Sequence, residues 1–316
     1  MLEIVTLTLN PAVDSITSVE QVVAERKLRC CEPRFDPGGG GLNVARAIRR
    51  LGGQATAYWT CGGPMGELLE QRLDAEGVRH RPIPIEAMTR ENLIVLEQTS
   101  GHQFRFGMPG AKLTAEEAER CLRTVRELDP PPDFLVLSGS LPPGVEDNFY
   151  VRVAKASPSS CRVVLDTSGP PLRAGIEGGV YLIKPNMREL SGLAGKDRLK
   201  DTEIRDVARR LISAGHVQVV VASLGSAGVM LVTETDCEHI PAPAVEVRSK
   251  VGAGDSTVAG IVLGLAQQKE IRDAVRLGVA AGSAAVITEG TDLCRRDDTM
   301  RLYEEIRCNA VLLPRP

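Results

Sequence analysis

Ser249-Lys250-Val251-Gly252-Ala253-Gly254-Asp255-Ser256-Thr257-Val258-Ala259-Gly260-Ile261-Val262 is the stretch that decides how this chain is read. Two glycines flank an alanine, one aspartate follows, and then come apolar residues at helical spacing. Glycine lets a backbone approach a ligand closely, because no Cβ stands between them. The N–H groups that open a helix point at whatever sits there, and the dipole favours an anion. Asp255 stands at that opening. A carboxylate beside an anion site repels the ligand unless it has a task. Taking the proton of a hydroxyl that attacks phosphorus is such a task. The segment therefore reads as an anion hole with a built-in general base, which suits phosphoryl transfer to an alcohol. The plainer alternative is a glycine-capped helix start with Asp255 as a first-turn acid.

From about residue 110 onward, strands and helices alternate. Phe134-Leu135-Val136-Leu137, Arg162–Asp166, Val180–Lys184 and Val217–Ser223 read as buried strands. Thr114–Leu128 and Thr202–Ala214 read as amphipathic helices. Continuous apolar strands separated by helices imply a mostly parallel sheet covered on both faces, an α/β fold. Ligands then sit beyond the carboxyl ends of the strands. That edge carries Ser138-Gly139-Ser140, Asp166-Thr167-Ser168, Lys184-Pro185-Asn186 and Ser223-Leu224-Gly225.

Residues 12–37 and 80–108 break this rhythm. They predict a small separate sheet that acts as a lid on a single domain spanning 1–316. In Phe104-Arg105-Phe106, strand alternation puts both rings on one face and Arg105 on the other. A second glycine cluster, Gly38–Gly41, precedes the apolar stripe Leu42, Ala45, Ile48 and Leu51. It is again a loop feeding a helix. Close approach of a polar ligand accounts for four glycines in a row; close helix–strand packing is the alternative.

Composition excludes several classes. The net charge is −3, and basic residues are scattered with few aromatics among them, which argues against nucleic acid. The eight cysteines are dispersed, no C-x-x-C occurs and the four histidines lie far apart. That argues against a zinc site or a disulfide frame, and for a reducing compartment. Met1–Leu9 reads as a first strand rather than a signal peptide. No apolar run approaches membrane-spanning length, so the expected location is the cytoplasm. A G-x-G-x-x-G dinucleotide fingerprint fails at Thr257, and no Walker A sequence occurs, so a nicotinamide oxidoreductase is disfavoured.

The motifs in their joint order resemble the ribokinase-type sugar kinases, the PfkB family, and within it most the bacterial minor-type 6-phosphofructokinases. The landmarks run from Thr6–Asp14 through the glycine loop with Asn43-Val44-Ala45-Arg46 and Met108-Pro109-Gly110-Ala111. They continue through Ser138–Gly144, Lys184-Pro185-Asn186-x-x-Glu189 and Val251–Ser256 to Asp297-Asp298-Thr299. The resemblance implies a ribokinase-like three-layer α/β/α domain with a β-sheet lid. It also implies an ATP-dependent kinase acting on O1 of fructose 6-phosphate. Asp255 matches the family's base, and the amides of Gly252, Ala253 and Gly254 match its anion hole. Asn186 and Glu189 match a pair that serves magnesium through water, in keeping with that ion's habit of retaining waters. A polar helix cap is the plainer reading of this pair. Lys184 would face nucleotide phosphate; Ser223, Gly225, Gly228, Gly282 and Ser283 match the adenine side. The last two could instead belong to a closely packed core helix. Ser249, Val251, Ala285 and Gly290 occupy the places of a potassium site.

On the sugar side, Asp14 matches the acid that binds sugar hydroxyls, where an Asx turn is the alternative. Gly39, Gly40 and Asn43 match the sugar floor, and Ser138 a phosphosugar contact. Lys27, Arg90 and Arg105 match the lid cations that hold the 6-phosphate. Gly40 stands where many sugar-1-phosphate and tagatose-phosphate relatives carry lysine, which tilts the expectation towards fructose 6-phosphate. Arg26 stands where the family has glycine. The rivals are a tagatose-6-phosphate kinase, a 1-phosphofructokinase and a non-catalytic phosphosugar sensor. Apolar Leu93–Leu96 in the lid predicts a homodimer joined through that element.

Overall fold

The structure is a computed structural model and describes residues 2–312; Met1 of the expected first strand and residues 313–316 of the expected domain lie outside the described residues. The chain opens with β1 (Ile4–Thr8), β2 (Ala12–Val19), β3 (Arg34–Gly38), α1 (Gly40–Arg50) and β4 (Thr56–Cys61). Then follow α2 (Gly63–Ala75), β5 (Arg79–Pro84), β6 (Arg90–Glu97) and β7 (Gln103–Phe106). Next come α3 (Ala115–Arg126), β8 (Phe134–Ser138), α4 (Phe149–Ala156), β9 (Arg162–Asp166) and α5 (Gly169–Ile176). The alternation continues with β10 (Val180–Ile183), α6 (Met187–Leu193), α7 (Asp201–Ser213) and β11 (Val217–Ser223). Last come β12 (Val229–Val232), β13 (Cys237–Ile240), α8 (Ala253–Ala266), α9 (Ile271–Val286) and α10 (Arg296–Leu312).

Nine strands form one sheet in the order β13-β12-β11-β10-β9-β8-β1-β4-β5. It is parallel except where β12 and β13 turn back antiparallel. β8 shows why the layers form. Phe134 and Val136 enter the core shared with α1, α2, α8, α9 and α10, whereas Leu135 and Leu137 enter the core shared with α3, α4 and α5. The central strands are thus apolar on both sides, and helices cover both faces. The α/β fold expected from the sequence is the one observed, and no helix among the described residues is long and apolar enough to cross a membrane.

The second sheet has the order β3-β2-β6-β7. β2 pairs parallel with β6, and the outer pairs are antiparallel. Its extent corrects the expected boundary at residue 80. Residues 79–84 are instead β5, the edge of the large sheet beside β4. An edge strand tolerates Pro82 and Pro84, which a central strand does not. His80 and Ile83 point into the protein from there.

The carboxyl ends of β1, β8, β9, β10 and β11 open on one rim, and α1 starts there too. α8 also begins at this rim and is buried from Ser256 to Ala266. A helix apolar on all sides has to sit inside. Small residues make that possible: the Gly260 Cα–Cβ direction runs into the Gly278 backbone of α9, where a Cβ would lie 2.7 Å from Gly278 Cα. A Cβ at Gly278 would in turn meet Ile261 and the Thr257 carbonyl. Gly278→Ala is expected to destabilise the fold by about 1–3 kcal/mol through overpacking. A lower urea midpoint checks this, and an unchanged midpoint speaks against the tight α8–α9 crossing.

Candidate active site

Gly252 caps α8 with φ of 72°, a left-handed conformation that favours glycine. A Cβ there would also lie 2.5 Å from Leu293 Cδ2. The first amides of the helix have no partner within it, and no side chain caps them. Gly252, Ala253 and Gly254 therefore present the polar N-terminus that the sequence predicted, with Asp255 in its first turn. Asn43 Nδ2, from α1, donates to Asp255 Oδ2 at 2.9 Å. Asp255 is partly accessible to solvent, which leaves a hydroxyl a route to it. Burial pushes its carboxyl up to about 6, and Asp166 pushes the same way; the Asn43 bond, Lys184 and Arg46 hold it down. A base works best when its pKa lies near the working pH.

Lys184 follows β10 and is buried, with its Nζ 3.3 Å from Asp166 Oδ1. Burial alone would lower its pKa, but Asp166, Glu189 and Asp255 together raise it, so the ammonium stays charged. Gly254 makes room for it: a Cβ there would lie 3.4 Å from Nζ. One cation among three carboxylates leaves the pocket short of positive charge for a polyphosphate. Its chemistry therefore fits a divalent cation that arrives with the nucleotide. Asn186 and Glu189 form the plainer structure that their spacing allowed, a capping box: Asn186 N donates to Glu189 Oε2 and Glu189 N to Asn186 Oδ1, both at 2.9 Å. Glu189 Oε1 makes no such bond and faces the Lys184 ammonium's field. Among the described residues no three acidic, His or Cys side chains gather closely enough to chelate a metal alone. Water-mediated contact is the fit that remains.

On the small sheet, Asp14 and Asn92 are directly paired across β2 and β6, and Arg105 lies opposite Ile94 two positions further along that strand. Alternation therefore puts Asp14, Arg90, Asn92 and Arg105 on one face. Asn92 Nδ2 donates to Asp14 Oδ1 at 2.8 Å. Burial raises the Asp14 pKa, against the pull of Asn92, Arg105, Arg90 and Arg46. Arg90 is anchored on the carbonyls of Asn10 (3.0 Å) and Met108 (3.1 Å). The glycine loop meets the same place. A Cβ at Gly38 would lie 2.7 Å from Asp14 Oδ2, one at Gly39 2.9 Å from Thr8 Cγ2, and one at Gly40 would strike the buried Ser138 hydroxyl. Gly40 is thus required by the β8 loop as well as by any ligand. Lys27 departs from expectation. It stands on the exposed connection between β2 and β3, and it makes no ion pair among the described residues.

The remaining residues divide. Ser223 ends β11 and bridges to Asn186, and a Cβ at Gly225 would meet open space. Gly228 has a packing reason instead, since a Cβ there would strike the Ile240 carbonyl. Gly282 has one too, against Thr257 of α8, which realises the packed-helix alternative; Ser283 beside it is buried. Ser249 Oγ donates to the Gly290 carbonyl at 2.6 Å, and Thr288 Oγ1 to the Ala285 carbonyl at 2.7 Å. The Ser249 bond, together with Arg248 N and Ser249 N donating to the Val286 carbonyl, brings the segment around Ser249 and Val251 beside residues 285–290. That loop is latched to the small sheet by Thr291 Oγ1, which donates to Asp36 Oδ2 at 2.6 Å.

The profile of the pfkB family carbohydrate kinases matches residues 7–298. The chain belongs to this family. Among curated relatives, the ATP-dependent 6-phosphofructokinase isozyme 2 of Mycobacterium tuberculosis is 45% identical over 302 residues, covering 95% of this chain and 89% of the relative. Among solved structures, phosphofructokinase-2 from Escherichia coli in complex with potassium superposes with a TM-score of 0.93 at 41% identity, covering 97% of this chain and 100% of that one. The form of that enzyme in complex with fructose-6-phosphate gives 0.91 at the same identity and coverage.

Two residues of this kinase site escaped the sequence reading. Asp166 was placed only at the strand edge, and Asn92 had no motif around it. The signal for Asp166 is its position at the end of an apolar strand, β9, that pairs directly with β10, the strand Lys184 follows; Asn92 needs the β2–β6 register. If Asp255 is the base, it must lose its proton to act, and kcat/KM is expected to fall with decreasing pH through a limb near 6. Asp255→Asn is expected to cut kcat by about 10²–10⁴-fold. A flat profile between pH 5 and about 7.5, or near-parent turnover in the variant, contradicts the assignment.

Proposed function

We propose that this carbohydrate kinase moves the γ-phosphate of ATP to O1 of fructose 6-phosphate. The observation that carries the reading is that Arg46 bonds both Asn43, which holds Asp255, and the Pro37 carbonyl, beside the Gly38 backbone that abuts Asp14, so the hydroxyl-binding acid and the base share one small space. Arg90 and Arg105 stand on Asp14's face and are placed to pair with the 6-phosphate, since charge-assisted bonds to phosphate are strong. Asp14 and Asn43 accept and donate bonds to sugar hydroxyls above Gly39 and Gly40, with Ser138 beside them. Asp255 takes the O1 proton, and the amides of Gly252, Ala253 and Gly254 receive the transferring phosphoryl oxygens. Lys184 faces the nucleotide phosphates. Asn186, Glu189 and Asp166 would hold magnesium through water, and that ion would neutralise phosphate charge when bound. Ser223, Gly225 and the α9 surface at Gly282 and Ser283 border the adenine, with Gly228 shaping the turn. The carbonyls around Ser249, Val251, Ala285 and Gly290 suit a potassium ion. Lys27 reaches the site only if its loop moves or if it serves a second copy.

The small sheet supports a homodimer. Leu93 and Phe106 are cross-strand partners on the face opposite Asp14, and they are 37% and 47% exposed. Adjacent Met108 is 45% exposed, so an apolar surface remains that a second copy covers. Light scattering at micromolar concentration is expected to give about twice the 33.9 kDa chain. A mass of one chain, unchanged by substrates, overturns lid pairing.

A coupled ADP-release assay over fructose, fructose 6-phosphate, tagatose 6-phosphate and fructose 1-phosphate tests the activity. Fructose 6-phosphate is expected to be the preferred acceptor, and Arg105→Ala to raise its KM about tenfold or more while leaving that of ATP near the parent value. Equal use of free fructose, or faster use of either other phosphosugar, refutes the proposed substrate.

A further inference from the structure

Arg46 is 2% exposed, although arginine is almost never fully buried without a partner. Its guanidinium spends its donors on three different elements. Nε and Nη2 donate to the two Glu76 oxygens, at 2.8 and 2.5 Å, at the end of α2. Nη1 donates to the Pro37 carbonyl at 2.7 Å, in β3 just before the glycine loop. Nη1 also donates to Asn43 Oδ1 at 3.0 Å, one turn earlier on α1.

That last bond has a chemical consequence. Arg can only donate, so Asn43 must turn its oxygen towards Arg46. The amide nitrogen is then forced to face Asp255, to which it donates at 2.9 Å. With Arg46 gone, the Asn43 amide is free to rotate and set its oxygen against the carboxylate. The groups facing Asp255 are Asp166 at the end of β9, Lys184 after β10, and Arg46 with Asn43 on α1. Among the described residues, the side chain that gives this carboxylate a directional bond is Asn43, which Arg46 orients.

We infer that Arg46 is a positioning residue for the transfer step: it orients the Asp255 carboxylate through Asn43 and is itself held by Glu76. The inference rests on the phosphotransfer reading, in which Asp255 is the base. The competing description is a strut that joins α1, α2 and β3 and matters for folding alone.

Kinetics on the purified full chain separate these. The parent is first assayed on the phosphosugar panel. If it turns over none of them, the transfer reading falls and this inference with it. If it is active, Arg46→Gln, Asn43→Ala and the double variant are compared with it on its preferred acceptor. Arg46→Gln is expected to lower kcat about 10–100-fold, as small misplacements of reacting groups do, with KM for ATP changed little. The double variant is expected to lose no more kcat than the worse single one, because both act through one chain of bonds. The acid limb of kcat/KM is expected to move to higher pH in Arg46→Gln, since a cation that favours ionised Asp255 is gone. Arg46→Lys keeps the charge but lacks the planar fork, and is expected not to restore kcat. Should Arg46→Gln fail to fold, Glu76→Gln loosens the same fork from outside the site, and a smaller fall in kcat in the same direction is expected. A folded Arg46→Gln or Glu76→Gln with parent kcat and an unmoved limb overturns the inference. So do fully multiplicative losses in the double variant, or a change confined to Tm.

Discussion

A helix that is apolar all the way round has to be buried, and α8 is such a helix. Everything at the rim follows from where that burial puts its first turn. α1 and α9 both pack on α8, and the Gly260–Gly278 crossing leaves no freedom to slide. Asp255 therefore stands in a place set by the core, not by a loop. Lys184 and Asp166 reach the same spot from strand ends, and strand ends are equally rigid. A carboxylate positioned by packed elements keeps its geometry when a ligand arrives.

The charge balance explains the chemistry of the pocket. Lys184 is buried and faces Asp166, Glu189 and Asp255. In such surroundings a carboxylate ionises reluctantly, which is why Asp255 sits near neutral pH and not in the ordinary carboxylate range. The same deficit of positive charge makes a bare polyphosphate an unwelcome guest, so metal and nucleotide belong together. On the other side of the pocket, Arg46, Arg90 and Arg105 supply the opposite sign around Asp14. The site is thus divided into a carboxylate-rich half around Lys184 and a cation-rich half around Asp14, the division that the proposed metal-borne donor and phosphorylated acceptor would call for.

The large sheet was legible because its strands are continuous apolar runs, and because Val251–Ser256 couples glycines to an acid in a way that few structural needs produce. The small sheet was legible only in outline. Its outer strands are short and polar, and periodicity alone could not tell β5, an edge strand of the large sheet, from the strands of the lid. The pairing of β2 with β6 joins segments far apart in sequence, so Asn92 could not be read as a partner of Asp14. Gly228 and Gly282 have packing reasons that sequence cannot reveal, because it does not say whether a missing Cβ makes room for a ligand or for a neighbouring group. Asn186 and Glu189 show that the two readings need not exclude each other: a capping box uses one Glu189 oxygen and leaves the other for a ligand.

The account turns on Asp255 being a carboxyl lifted by its surroundings while remaining available as a base. Isotope-edited infrared spectroscopy of aspartate-labelled protein, as the difference between the parent and Asp255→Asn, reads that carboxyl directly as a function of pH. Conversion from the protonated to the ionised band with a midpoint near 6 is the predicted result. A midpoint near the ordinary aspartate value of about 4 would contradict it, because the burial and the Asp166 charge invoked here would then have no hold on the base.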